Sequence, residues 1–275
     1  MRPLRTIAVF PTLLTLGNLV CGFFAIVVAA RVEKPEDLAM IAGDLGAVDN
    51  CRLSGWLILL AMVFDALDGY VARLAKTTSD FGAELDSLCD CVSFGVAPAF
   101  LLVKICPRFT FFHDQAVWII AASFAACAAM RLARFNVETA EEDDHMQFTG
   151  LPSPAAAATI ASFAIMFHTL RQADNPLAYA AEIDVVLQSI LPYFAVLVAL
   201  LMVSRIPYPH IVNQVFRGQR SFAHVIAVVF AVGAVTLVPG YYALPIITTA
   251  MVVYGPARWC WERFVQHKQR SETIF

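Results

Sequence analysis

The chain has 275 residues, of which 59% are hydrophobic and only 15% charged, with a mean hydropathy of +0.68. These values exclude an ordinary soluble domain, in which about a quarter of the residues are charged, and they predict an integral membrane protein. The net charge of −3 at pH 7 and the lack of a basic run argue against nucleic acid as a partner.

Long apolar runs divide the chain into predicted transmembrane helices, each needing about 18 residues or more. The candidates are residues 10–30, 54–74, about 82–103, 115–133, 153–170, 185–203, 222–238 and 241–254. The third contains acidic residues and the last two are short. The fold class predicted from this pattern is an all-α membrane protein with about eight spans.

Lys and Arg are distributed unevenly over the flanks of these spans. The flanks that include Arg73, Lys76, Arg131 and Arg134 carry about twice as many of them as the alternate flanks. Cytoplasmic flanks are enriched in these two residue types. We therefore expect both termini and the loop 76–80 to face the cytoplasm, in the cytoplasmic membrane.

Between Asp65 and Asp90, carboxylates lie inside the second and third predicted spans. On the second span the polar and small residues fall within an arc of roughly 140°, and on the third they lie four apart on one stripe. The two sets are Asp65, Asp68, Gly69, Ala72 and Arg73, then Gly82, Asp86 and Asp90. Asp65 and Asp90 each lie roughly 15 Å along their helices from the intervening turn, so we expect four carboxylates to converge.

Converging carboxylates in a membrane require a cation. One charged side chain near the bilayer centre costs about 3 kcal/mol even on a lenient scale, and like charges repel one another. Arg73 supplies a single positive charge, whereas divalent ions with hard oxygen ligands match both charge and ligand type. The pattern predicts one or two Mg²⁺ or Mn²⁺ ions, which would suit a phosphoryl displacement.

Two other interpretations start from the same residues. Gly and Ala at helical spacing are typical of close helix packing in membranes, and acids inside spans are typical of a proton relay or an ion pathway. A metal-ion or proton transporter and a noncatalytic scaffold are therefore alternatives. An ion pathway has no necessary place for Gly69, Ala72, Arg73 and Gly82, and a scaffold gives no reason for four acids.

The motif Asp65-x-x-Asp68-Gly69-x-x-Ala72-Arg73, eight further residues, and Gly82-x-x-x-Asp86-x-x-x-Asp90 resembles without departure the signature of the CDP-alcohol phosphatidyltransferases. The resemblance covers about residues 8–205 and implies a six-helix core in residues 1–205. The apolar runs beyond it predict two further spans and a basic tail in residues 206–275. The resemblance also implies metal ligation by Asp65, Asp68 and Asp86, with Asp90 as general base and further ligand. The implied CDP site comprises Asp68, Gly69, Ala72, Arg73, Gly82, Thr15 and Asn18.

Other stretches are similar to the phosphatidylserine synthase branch of that family, namely residues 10–22, 91–99, 131–136 and 148–157. The branch usually has Asn where Thr12 stands here, so a nucleotide contact at that position is not carried over. The resemblance implies CDP-diacylglycerol as donor, serine as acceptor and a possible homodimer.

The acceptor is predicted less directly. A zwitterionic amino acid needs a cation for its carboxylate, and Arg131 and Arg134 share one face of the fourth span, followed by Asn136. We predict that these three residues bind serine. Glycerol 3-phosphate and inositol remain alternative acceptors, and both arginines can instead be cytoplasmic anchors.

Overall fold

A computed structural model describes residues 9–33, 45–75, 80–140, 150–171, 179–208 and 242–272. Its elements are helices, which confirms the predicted all-α class for this part of the chain. In chain order they are α1 Val9–Ala30, α2 Leu45–Ala75, α3 Asp80–Asp90, α4 Ala97–Ile105, α5 Pro107–Phe112, α6 Asp114–Ala140, α7 Ser153–Leu170, α8 Ala180–Val203 and α9 Ala243–Glu272. A π-helical turn, Cys91–Val96, joins α3 to α4.

Within the described residues, six helical segments are long and apolar enough to cross a membrane. They are Pro11–Ala30, Asp49–Val71, Phe81–Ile105, Asp114–Val137, Ser153–Leu170 and Ala180–Val203. They confirm the first six predicted spans, including the third, which is continuous through the π-helical turn. The predicted span 222–238 lies outside the described residues. The span predicted at 241–254 overlaps α9, which is not among the six, so the two C-terminal spans are not confirmed.

Helix α7 lies at the centre of the bundle, and nearly all of its side chains are buried. A helix that is apolar on every side has to be surrounded by others, and α2, α4, α8 and α9 pack around it. Gly55 on α2 allows one of these close approaches, because a β-carbon there would lie 2.8 Å from the carbonyl oxygen of Ala161. Large apolar side chains on the outer helices, such as Phe23 and Ile119, are exposed, as suits a surface that faces lipid.

Helix α1 is fixed against the π-helical turn at very short range. A β-carbon at Gly22 would lie 2.8 Å from the Cα of Ser93, so only glycine allows this approach. The Ser93 hydroxyl donates a hydrogen bond to the backbone oxygen of Asn18 at 3.0 Å. Ser54 on α2 similarly donates to the backbone oxygen of Ala25 at 2.8 Å. These contacts set the position of α1 relative to the two helices that carry the acidic motif.

A largely buried ion pair ties the C-terminal end of α7 to α8. Arg171 Nε donates to both carboxylate oxygens of Asp184, at 3.0 and 3.2 Å, and the two side chains are only 12% and 13% exposed. Gln188 donates to the same carboxylate at 2.7 Å and accepts the backbone N–H of Arg108 at 3.1 Å. The network therefore also holds the short helix α5.

Removing one charge of this pair should destabilise the fold. Asp184→Ala leaves the Arg171 guanidinium without its counter-charge, and breaking such a buried pair costs about 3 kcal/mol. We expect a clearly lower midpoint of thermal unfolding in detergent. The matched control is Glu262→Ala, which breaks the exposed pair with Arg258 and should leave the midpoint unchanged. Equal midpoints for the two variants would contradict the structural role assigned to Arg171 and Asp184.

Candidate functional site

Three carboxylates from two helices meet inside the bundle. Asp65 and Asp68 of α2 and Asp86 of α3 each bring one carboxylate oxygen within 4.8 Å of the others. The two residues of α2 reach the same place because positions three apart share a helix face. The predicted convergence of the motif is confirmed for these three acids.

The chemistry of this group fits a hard divalent cation. Asp68 is only 5% exposed, and Oδ1 of Asp86 is buried with no hydrogen-bond partner among the described residues. Carboxylates held this close repel one another unless a positive charge lies between them. Mg²⁺ and Mn²⁺ prefer carboxylate oxygens as ligands, so Asp65, Asp68 and Asp86 can together bind such an ion.

Asp90 lies next to this group without belonging to it. It is the last residue of α3, one turn beyond Asp86, and its charge interacts with those of the three other acids. Its Oδ1 accepts a hydrogen bond from Nδ2 of Asn18 at 2.9 Å. Asp90 is therefore held from the α1 side, and its metal ligation stays a prediction.

The residues predicted to contact CDP are described in part. Gly69 and Gly82 are partly exposed on α2 and α3. Thr15 is buried, and its hydroxyl donates to the backbone oxygen of Pro11 in its own helix at 3.1 Å. Asn18 is fully buried and directed at Asp90 rather than at an open surface. The side chains of Ala72 and Arg73 and the turn 76–79 lie outside the described residues.

Arg131 reaches the site from α6. Its charge interacts with that of Asp90, and its Nη1 donates a hydrogen bond to the hydroxyl of Ser153 at 3.1 Å. Its Nε is buried with no hydrogen-bond partner in the part of the chain that the structure describes. A buried guanidinium N–H without an acceptor is well suited to bind an anion.

Asn136 and Arg134 lie on the same helix as Arg131 but have different surroundings. The side-chain amide of Asn136 lies 2.9 Å from the hydroxyl of Ser87 on α3, so this residue connects α6 to the helix that carries Asp86. Arg134 is partly exposed. The roles of Ser87, Ser93 and Ser153 were not predicted, because a small polar side chain within or beside an apolar run does not indicate its hydrogen-bond partner.

Comparison with known proteins matches residues 8–201 to the family described as CDP-alcohol phosphatidyltransferase. CDP-diacylglycerol–serine O-phosphatidyltransferase of Methanocaldococcus jannaschii is 41% identical over 179 residues, 65% of this chain and 73% of that protein. The protein of the same name from Helicobacter pylori is 30% identical over 260 residues, covering 94% and 93%. Archaetidylserine synthase of Methanothermobacter thermautotrophicus is 33% identical over 203 residues, covering 73% and 70%.

Metal binding at the three carboxylates can be measured without any reaction. Asp86→Asn removes one of three negative charges, so we expect the affinity for Mn²⁺, followed by electron paramagnetic resonance, to fall about tenfold or more. Glu84→Gln is the matched control, because Glu84 lies on the same helix, is exposed and is not part of the group. The same Mn²⁺ affinity in the wild type and in Asp86→Asn would exclude the site.

Proposed function

Because the chain belongs to the CDP-alcohol phosphatidyltransferase family, we propose that it transfers the phosphatidyl group of CDP-diacylglycerol to the hydroxyl of serine. The products are phosphatidylserine and CMP. The family match extends over most of the chain, and relatives that match most of it carry serine transfer in their names. The observation that carries the proposal is the meeting of Asp65, Asp68 and Asp86 beside Asp90, within helices that can cross a membrane.

The family depends on divalent metal ions, and the three carboxylates fit such an ion. In our proposal Asp65, Asp68 and Asp86, together with Asp90, hold two ions, either Mg²⁺ or Mn²⁺. When bound, these ions neutralise the phosphate oxygens and the charge that develops on the leaving group. Gly69 and Gly82, with Ala72 and Arg73, form the walls of the CDP site.

Asp90 is the proposed general base. Its carboxylate accepts the proton of the serine hydroxyl while the serine oxygen forms a bond to the β-phosphorus of CDP-diacylglycerol. The bond between that phosphorus and the oxygen shared with the α-phosphate breaks in line, and its electron pair leaves with CMP. Asp90 suits this role because it lies beside the acidic group but outside it.

The lipid donor explains why the acids lie within membrane-crossing helices. The acyl chains of CDP-diacylglycerol remain in the bilayer, so the phosphorus that reacts stays at the depth of the headgroup. We propose that the site opens to the cytoplasm in the cytoplasmic membrane, since the flanks near the motif carry the excess of Lys and Arg. Serine and CMP can then enter and leave through water.

Serine also brings a carboxylate, and Arg131 is its proposed partner. The Nη1 of Arg131 is already held by Ser153, while its Nε is buried without an acceptor in the described structure. A carboxylate bound there would lie near Asp90, where the serine hydroxyl has to be. In the proposal Arg134 and Asn136 border the same pocket, and Asn136 also fixes α6 to α3 through Ser87.

The proposal is tested by the release of CMP from the purified protein in detergent. With CDP-diacylglycerol and Mg²⁺ or Mn²⁺, we expect release that requires serine and stops when EDTA is added. Glycerol 3-phosphate and inositol, added separately, should not support it. Release with one of these alcohols instead would keep the chemistry and change the acceptor, and no release with any alcohol would refute the function.

The role of Arg131 predicts a selective loss of serine binding. Because hydrogen bonds to charged groups contribute about 1.5–3 kcal/mol, Arg131→Ala should raise the KM for serine about tenfold or more, with little change in the KM for CDP-diacylglycerol. Arg205→Ala removes an exposed arginine beyond α8 and serves as the matched control. If Arg131→Ala raises both KM values equally, Arg131 does not bind the acceptor selectively.

A further inference from the structure

Asn18 is the residue through which α1 reaches the reacting groups. It is fully buried, and its Nδ2 donates to Oδ1 of Asp90 across 72 positions of sequence. Its Oδ1 is also buried and has no hydrogen-bond partner among the described residues. The amide is therefore satisfied on one side only, and that side is Asp90.

The orientation of this amide follows from charge. An ionised carboxylate accepts hydrogen bonds and donates none, so the nitrogen of Asn18 has to face Asp90. Turning the amide over would place two oxygens against each other. A buried carbonyl oxygen without a partner is destabilising, so Asn18 is a poor choice for stability alone.

The backbone around Asn18 is held separately from its side chain. Ser93 Oγ donates to the backbone oxygen of Asn18 at 3.0 Å. One turn later, Gly22 lies so close to Ser93 that no β-carbon fits between them. Ser93 belongs to the π-helical turn that begins directly after Asp90. These backbone contacts fix the distance between α1 and Asp90 independently of the Asn18 side chain. The Asn18 amide then connects the two by its hydrogen bond.

Resting on the proposed function, we propose that Asn18 is a positioning residue for Asp90 rather than a contact for CDP. Its N–H holds one oxygen of the Asp90 carboxylate in place from the α1 side. The other oxygen is then directed to the hydroxyl of the acceptor alcohol. Without this hydrogen bond, the Asp90 carboxylate is free to rotate away from the acceptor hydroxyl.

The test replaces Asn18 by Leu, which has a similar volume and no hydrogen-bonding groups. A base displaced by about 1 Å loses roughly a hundredfold in rate, so we expect kcat for CMP release to fall at least tenfold. The KM for CDP-diacylglycerol and the affinity for Mn²⁺ should stay within about twofold of the wild type. The midpoint of thermal unfolding should not fall, because the substitution also removes an unsatisfied oxygen.

The matched control is Thr110→Val, which removes a buried hydrogen bond outside α1 and the acidic motif, that from the Thr110 hydroxyl to the backbone oxygen of Val103. It should leave kcat unchanged. If Asn18→Leu raises the KM for CDP-diacylglycerol and retains kcat, Asn18 contacts CDP and the proposal is overturned. An equal loss of kcat in both variants would do the same, by showing that the effect is on packing.

Two further measurements keep the outcome decisive. In an Asp90→Asn background, adding Asn18→Leu should change the residual rate no further, whereas independent residues would give multiplied losses. Should Asn18→Leu fail to fold, Asn18→Ala carries the same expectations. If the wild type releases no CMP, whichever alcohol is added, the proposed function fails. This inference is then still tested by a structure of Asn18→Leu, because an unmoved Asp90 in that structure would refute it.

Discussion

The mutual repulsion of carboxylates inside an apolar bundle is the constraint on which the structure depends. Asp65, Asp68 and Asp86 lie within 4.8 Å of one another in helices that can cross a membrane, where both burial and like charge oppose ionisation. When the three carboxylates are ionised, a bound cation relieves this repulsion. The site that we propose is therefore complete only when an ion is bound.

The bundle meets this constraint by fixing helices to one another near the acids through polar contacts between side chains and backbone. Ser93 holds α1 at the π-helical turn, Ser87 and Asn136 join α3 to α6, and Ser153 holds Arg131. In an apolar surrounding such contacts replace the hydrophobic effect, which gives no preference between lipid and another helix. The same contacts that hold the helices together thus also set the distances between Asp90, Asn18 and Arg131.

Much of this arrangement could be predicted from the sequence, because helical spacing and hydropathy are local properties. The first six spans and the convergence of Asp65, Asp68 and Asp86 follow from positions three and four apart in apolar runs. The link from Asn18 to Asp90 could not be predicted, because no periodicity relates residues 72 positions apart on different helices. Ser87, Ser93 and Ser153 were missed for the same reason, since a single serine in a span carries no sign of its partner.

In the proposed function, four aspartate side chains have two roles. All four are metal ligands, and Asp90 is also the general base. In the proposed function one oxygen of Asp90 has to stay open to the acceptor hydroxyl, because a carboxylate with both oxygens occupied is a poor proton acceptor. Asn18 supplies a neutral donor from a different helix, so Asp90 is held by a hydrogen bond while its neighbours are directed at one another. Enzymes commonly assign acid, base and ligand roles through the different surroundings of like groups. In the proposed function, the position of α1, fixed by Gly22 against Ser93, gives Asp90 surroundings that differ from those of the other three acids.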